Sequence, residues 1–304
     1  MEDVYWQKVA IFLDKSHRET HLELSELRIE DKKIAFLRDC LRDGSRFMQD
    51  ENGNWHLRFF THTELEQKIY VRFVNANNPS NLEIELDKYR FSRDFKPLTQ
   101  LLFVRRRNNS PVDESLVLNA SLILKGSATG IRLADLYETE YHCGYLDGRG
   151  ELFISNHSPV GNFQRHVLLH ALAQAYIQAM DLIKERLKPS LVGQGDRQRL
   201  RAVYQDFVRF NANYFFMQPV KYSSPVMRTV WQRIDEKYRV CAENHEMFEK
   251  IQSVHFLLEL ENSEKESAYR EKAEKKMNLL NISVAGLGVL IAFSTWLISY
   301  FSSK

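Results

Sequence analysis

Leu279 to Phe301 reads LLNISVAGLGVLIAFSTWLISYF, 23 consecutive positions without a charged side chain, and the rest of the chain is best read outward from it. As an α-helix at 1.5 Å per residue the run covers about 34 Å, the depth of a bilayer's hydrocarbon. A helix apolar on every side for that length has no natural place on the surface of a water-soluble fold. Trp296 and Tyr300 stand near its far end, where amphipathic rings favour the headgroup level, and Arg270, Lys272, Lys275 and Lys276 crowd the near end, with only Lys304 beyond. The asymmetry predicts a transmembrane helix over 278–302, a single pass through the inner (plasma) membrane, and a cytoplasmic N-terminus.

Asn281, Ala285, Gly288, Ala292, Thr295 and Ser299 recur along this segment at alternating steps of four and three, a seam of small or polar side chains. Small residues let helix backbones approach in lipid, so the seam predicts self-association; in a wider ring the same positions would line a pore. The partners expected are the lipid bilayer and further copies of the chain.

Upstream, residues 261–277 carry charge on every side, with Glu261 and Lys265, Glu266 and Arg270, and Glu271 and Lys275 four apart in the favourable order. They read as a solvated stalk. Ser224 and Pro225 make a helix start, and neither Pro nor Gly follows until Gly286, so one helix is expected from Pro225 into the membrane. Asn162 to Leu187, stopping before Pro189, and a second helix capped by Asp196 and carrying Leu200, Val203 and Phe207 are expected to form an antiparallel pair, giving a helical domain over 161–260.

Residues 1–160 change character. Val9–Leu13, His56–Phe60, Lys68–Val74, Leu82–Leu86, Leu101–Arg105 and Leu116–Leu124 are β-prone, separated by turn-rich pieces such as Asn52-Gly53-Asn54, and Glu30–Arg42 reads as a helix through Ile34, Leu37 and Leu41. The fold class is therefore α+β: a mixed α/β N-terminal domain, a helical hairpin with a long stalk helix, and a C-terminal transmembrane helix.

Composition agrees with a folded body, at 44% hydrophobic and 27% charged residues, and a formal charge of +2 offers no global field to make nucleic acid the main partner. Cys40, Cys143 and Cys241 lie far apart with no C-x-x-C pair, which fits a reducing compartment. Met1 to Gln7 is polar, and Val9–Leu13 is too short for a signal peptide.

Candidate sites are few. Arg105-Arg106-Arg107, together with Lys125 at the end of the Leu116–Leu124 run, could grip a nucleotide-type signal, although adjacent arginines also keep strand edges soluble. His166 and His170 have metal-ligand spacing but lack the H-E-x-x-H glutamate, and read as a helix-surface pair. His17 and His21 alternate with Glu19 and Glu23 without a third ligand at a recognisable spacing, so no metal or cofactor is assigned. Arg239 and His245 resemble the R-x(4-6)-H motif of HEPN ribonucleases. No phosphate-binding loop or hydrolase motif is present, and the chain reads as non-enzymatic.

The stalk and its continuation, YREKAEKKMNLLNISVAGLGVLIAF from Tyr269 to Phe293, resemble the stalk entering the first span of CorA-type divalent cation channels. The family's Gly-Met-Asn signature and second span have no counterpart here. What the resemblance implies is a funnel-like homo-oligomer, often pentameric in that family, whose cytoplasmic domains could sense something and move the stalks; a nucleotide or protein activator is a further expected partner. The design also looks like that of effectors that permeabilise the inner membrane in antiviral defence. The alternatives are a tail-anchored scaffold for a cytosolic partner and a membrane-tethered HEPN-type ribonuclease.

Overall fold

Alternation of apolar residues along Tyr5–Asp14 places Trp6, Ala10 and Phe12 on one side of a strand and Val9 and Ile11 on the other, all buried, so this strand must lie inside a sheet covered on both faces. The computed structural model describes residues 4–16, 23–76, 94–106, 112–156, 159–191 and 197–302; the side chains at 189–191, 197, 257–258, 261–262, 290, 292–293 and 296–302 lie outside that description. The expected strand Leu82–Leu86, the His17/His21 segment, Arg107 and the Asp196 cap fall outside the described residues.

The strands are β1 (Tyr5–Asp14), β2 (Ser25–Glu26), β3 (Ser45–Gln49), β4 (Trp55–Phe59), β5 (Gln67–Ala76), β6 (Phe95–Arg105), β7 (Tyr137–Glu138), β8 (Cys143–Asp147) and β9 (Gly150–Ser155), joined in one sheet in the order β2-β3-β4-β5-β1-β6-β9-β8-β7. All pairs are antiparallel except β6 with β9, where Leu102 stands opposite Leu152. The chain reaches β9 through helix α2 (Glu114–Lys125) and the β7–β8 edge.

Helix α2 occupies the expected strand Leu116–Leu124. Asp113 accepts the backbone N–H of Leu116 at 2.8 Å, and Gly126 closes the other end at φ 69°; these two caps specify a helix where the residue types alone suggested β. Val117, Ala120, Ile123 and Leu124 pack on Trp6, Phe12, Leu102, Val104, Leu152 and Ile154. Lys8, buried beneath α2, donates to the Ile123 carbonyl at 2.7 Å, a cation at the helix's negative end.

The opposite face of the sheet carries α3 (Val160–Leu191), whose Phe163 stacks on Phe103 at 5.2 Å. From His166 to Tyr176 every residue of α3 is buried, because α4 (Arg197–Asn213) and α5 (Pro225–Tyr238) cover its other side. The α3–α4 pair is antiparallel, with Tyr176 against Phe210 and Arg186 against Asp206. Helix α3 extends past Pro189, which costs one main-chain bond near its end. These helices belong with the sheet to one compact unit, Met1–Met247.

Two expected helices are different in form. Of Glu30–Arg42 only α1 (Asp39–Asp43) is helical: Glu30 and Asp31 adopt φ of 52° and 61° in a tight turn closed by Ile29 and Lys32. Phe36 to Arg38 run extended, bonding to Pro219 and Lys221, and that pairing buries Ile34 and Leu37 without a helix. The single helix expected from Pro225 breaks at Arg239, at φ 58°, and α6 (Val240–Ser302) begins anew. Asp235 organises the break. Its carbonyl accepts the Arg239 N–H, and its side chain accepts the Cys241 N–H at 2.8 Å.

The second unit, Phe248–Lys304, contains the remainder of α6, up to Ser302. Glu271 with Lys275 at 2.7 Å and Glu266 with Arg270 at 4.0 Å form the expected i,i+4 pairs. Among the described residues no helix is long and apolar enough to cross a membrane.

Candidate functional site

Strand β9 reads GELFIS, and all six residues are buried. Leu152 and Ile154 face α2, so Glu151 and Phe153 point to α3. A carboxylate there must find partners or lose its charge. It finds two imidazoles one helical turn apart: His166 Nδ1 lies 2.8 Å from Oε1 and His170 Nε2 lies 3.0 Å from Oε2. Both histidines are at most 2% exposed, so the surface position expected for them is corrected. Helix α3 is covered on all sides, and a spacing that reads as one exposed face lies here in the interior.

Further polar and aromatic side chains surround this pair. Tyr137 of β7 donates its hydroxyl to Glu151 Oε1 at 3.0 Å, and the reach depends on Gly144 opposite: a Cβ there would come within 2.9 Å of the hydroxyl and 2.4 Å of the Leu152 carbonyl. His142 lies flat on Phe153 with ring centres 3.9 Å apart and edge-on to His166 at 5.4 Å. Its Nδ1 is 3.0 Å from Thr139 Oγ1 and its Nε2 is 3.4 Å from the Tyr137 hydroxyl. On the far side, His170 Nδ1 meets the Tyr238 hydroxyl at 3.1 Å, and Tyr238 meets Thr99 at 2.9 Å.

The electrostatics follow from burial and neighbours. Burial alone would push the Glu151 pKa up, but the charge of His166 and the hydrogen bonds from His166 and His170 outweigh it and hold the carboxyl well below its usual range. Burial, with His166 beside it, lowers the His142 pKa to about 4. Burial and the adjacent Glu151 carboxylate raise Tyr137 far above an ordinary phenol, and burial raises Tyr238 likewise.

His142 and His166 also line a cavity of about 520 Å³. Its walls include apolar side chains, among them Phe36, Val226, Met227 and Val230, together with two arginines, Arg165 and Arg233, and one carboxylate, Glu140. Arg165 is fixed by Glu30 at 2.9 Å and Asn162 at 2.7 Å. The Glu30 carboxylate arrives from the left-handed turn across Gly161, where a Cβ would sit 2.2 Å from it. The Arg233 guanidinium lies over the Tyr137 ring at 4.5 Å. Apolar walls with a few convergent polar groups are the ordinary make-up of a small-ligand site.

Among family models, curated proteins and solved structures, none matches this chain.

The residues singled out from the sequence lie elsewhere. Arg105 ends β6 with its guanidinium 5.6 Å from the Phe103 ring centre, and Arg106 is buried just beyond. Lys125 ends α2, bonded to Asp147 and near the Tyr145 ring. In the β6–β9 register Arg105 stands opposite Ser155, whereas Asp147 pairs with Gly150 opposite Gln100, so the arginines and Lys125 are at opposite ends of that strand pair. Arg239 and His245 are exposed, and Arg239 pairs with Glu246 at 3.4 Å. Asn281, Ala285, Gly288 and Thr295 lie exposed on α6, while the side chains of Ala292 and Ser299 lie outside the described residues.

The sequence does carry a signal for the His–Glu centre. A single glutamate stands within an otherwise uncharged strand, and two histidines sit four apart in the apolar run His166–Tyr176. Each is unremarkable alone. Only the packing of α3 on β9 makes them one group.

Proposed function

We propose that this protein is a single-pass, membrane-anchored effector. Its cytoplasmic body binds a small anionic signal in the Arg165–Arg233 cavity, and its C-terminal helix inserts in the bilayer and associates with copies of itself. The observation that carries the reading is on α6, where Leu279, Leu280, Ile282, Val284, Leu287, Val289 and Ile291 are each 59–69% exposed. Withdrawing each such side chain from water gains roughly 1.5–3 kcal/mol. Leu280, Val284, Leu287 and Ile291 lie along one face and Ile282 and Val289 along another, so a single partner helix would cover only part of them. Lipid covers all sides. The other positions of the run to Phe301 are uncharged in the sequence and complete its length.

Self-association is supported by the seam through Ala285 and Gly288; a Cβ at Gly288 meets open space, so that point of the helix can be approached closely. A CorA-like gated assembly is the arrangement that the stalk sequence favours. Two measurements test the proposal on full-length protein. After carbonate washing and ultracentrifugation of a lysate the chain is expected in the membrane pellet, and in mild detergent its mass is expected to be a multiple of the monomer's. Recovery in the supernatant overturns the anchor, and a monomeric mass overturns the assembly.

A further inference from the structure

We propose that His142, Glu151 and His166 form a site for a transition-metal dication of the zinc class, with one coordination position open to the cavity. One ligand atom from each, a ring nitrogen of either histidine and a carboxylate oxygen, lie within 4.8 Å of one another. Imidazole and carboxylate bind such ions at about 2.0–2.2 Å, which in tetrahedral geometry places neighbouring ligands roughly 3.3 Å apart. His166 and Glu151 are already at 2.8 Å. The remaining adjustment falls on the His142 ring, half-buried at the cavity wall between β7 and β8.

Two further features distinguish this cluster from a buried ion pair. Charge balance for one buried carboxylate needs one imidazolium, whereas here three imidazoles gather around it. The outer contacts are also those that orient metal ligands. His170 holds the second Glu151 oxygen at 3.0 Å and is itself backed by Tyr238, and Thr139 lies 3.0 Å from the His142 nitrogen that faces away from Tyr137. Three protein ligands leave a fourth position for water or an anionic oxygen. His142 and His166 both border the cavity, which is the side from which such a ligand would arrive.

The test uses full-length protein in detergent, stripped by a chelator and then offered Zn²⁺ or Co²⁺ alone. One equivalent of metal per chain should survive removal of the excess, with a rise in melting temperature. The cobalt form should show the visible absorption of a low-coordinate site and paramagnetically shifted N–H signals from two imidazoles. His142→Ala, at the cavity wall, should weaken binding by at least about tenfold while the circular dichroism is unchanged; His166→Gln should abolish it. Failure of the wild type to retain metal overturns the site, and so does retention undiminished in His142→Ala. Should either variant misfold, the wild-type cobalt spectrum decides alone: absence of histidine-ligated signals overturns the assignment.

Discussion

Replacing Glu151 with alanine takes from His166 Nδ1 and His170 Nε2 the buried carboxylate that both of them face. Breaking a buried, hydrogen-bonded charge pair in this way costs about 3–5 kcal/mol. The expected outcome for Glu151→Ala is a loss of that size in denaturant unfolding, and a loss under about 1 kcal/mol would show that the pairing contributes little. Cys241 gives a second prediction at this scale. Burial, then the hydrogen bond and charge of Asp235, raise its thiol to about 12, so the thiolate is scarce at any pH well below that value. Alkylation at pH 8 should therefore modify exposed Cys40 before Cys241, and the Cys241 rate should climb as pH rises towards 12. Asp235→Ala removes the raising partner and should quicken Cys241 at pH 8; an unchanged rate would mean that burial alone protects it. Neither environment is written in the local sequence. Glu151 lies in a strand, Gly150–Ser155, that none of the expected β-prone runs covers, and its partners come from a helix stretch, His166–Tyr176, whose burial on every side hides the periodicity that normally marks a core face.

At the scale of elements, the parts legible from sequence were those with their own periodicity: strands β1, β4, β5 and β6 and helices α3 and α4 stand close to where the pattern places them. Elements defined by caps and turns depart from that pattern. Leu116–Leu124 has the residue types of a strand, and only Asp113 and Gly126 at its ends make it a helix. The run after Pro225 contains no Pro or Gly, yet the chain turns at Arg239 because Asp235 supplies acceptors to both sides of the break. Arg239 is held at φ 58° without the freedom of glycine. A left-handed L-residue costs roughly 1–2 kcal/mol, of which glycine's greater unfolded-state entropy takes back part. Arg239→Gly is accordingly expected to stabilise the Met1–Met247 unit by about 0.5–1 kcal/mol, read as a higher unfolding midpoint. A destabilised variant would show instead that the exposed Arg239–Glu246 pair, at 3.4 Å, outweighs the strain.

For the whole molecule the decisive contrast is between a unit that buries its apolar residues and a helix that leaves them outside. In Met1–Met247 both sheet faces are covered and α3 is enclosed, so that unit has a core of its own. Beyond it, every described side chain from Glu264 to Val289 is exposed. Transfer of the apolar run from water to hydrocarbon is worth many times the thermal energy. A chain ending at Met277 should therefore keep the melting temperature and circular dichroism of the body and move from the membrane pellet to the supernatant. The stalk stays in this shortened chain, which separates two causes of membrane attachment. Attraction of Arg270, Lys272, Lys275 and Lys276 to anionic lipid would survive the deletion and weaken with salt, whereas insertion of 279–301 would not survive it and is indifferent to salt. Retention in the pellet at low salt that is released at high salt would assign the attachment to the stalk, and the anchor reading would fall.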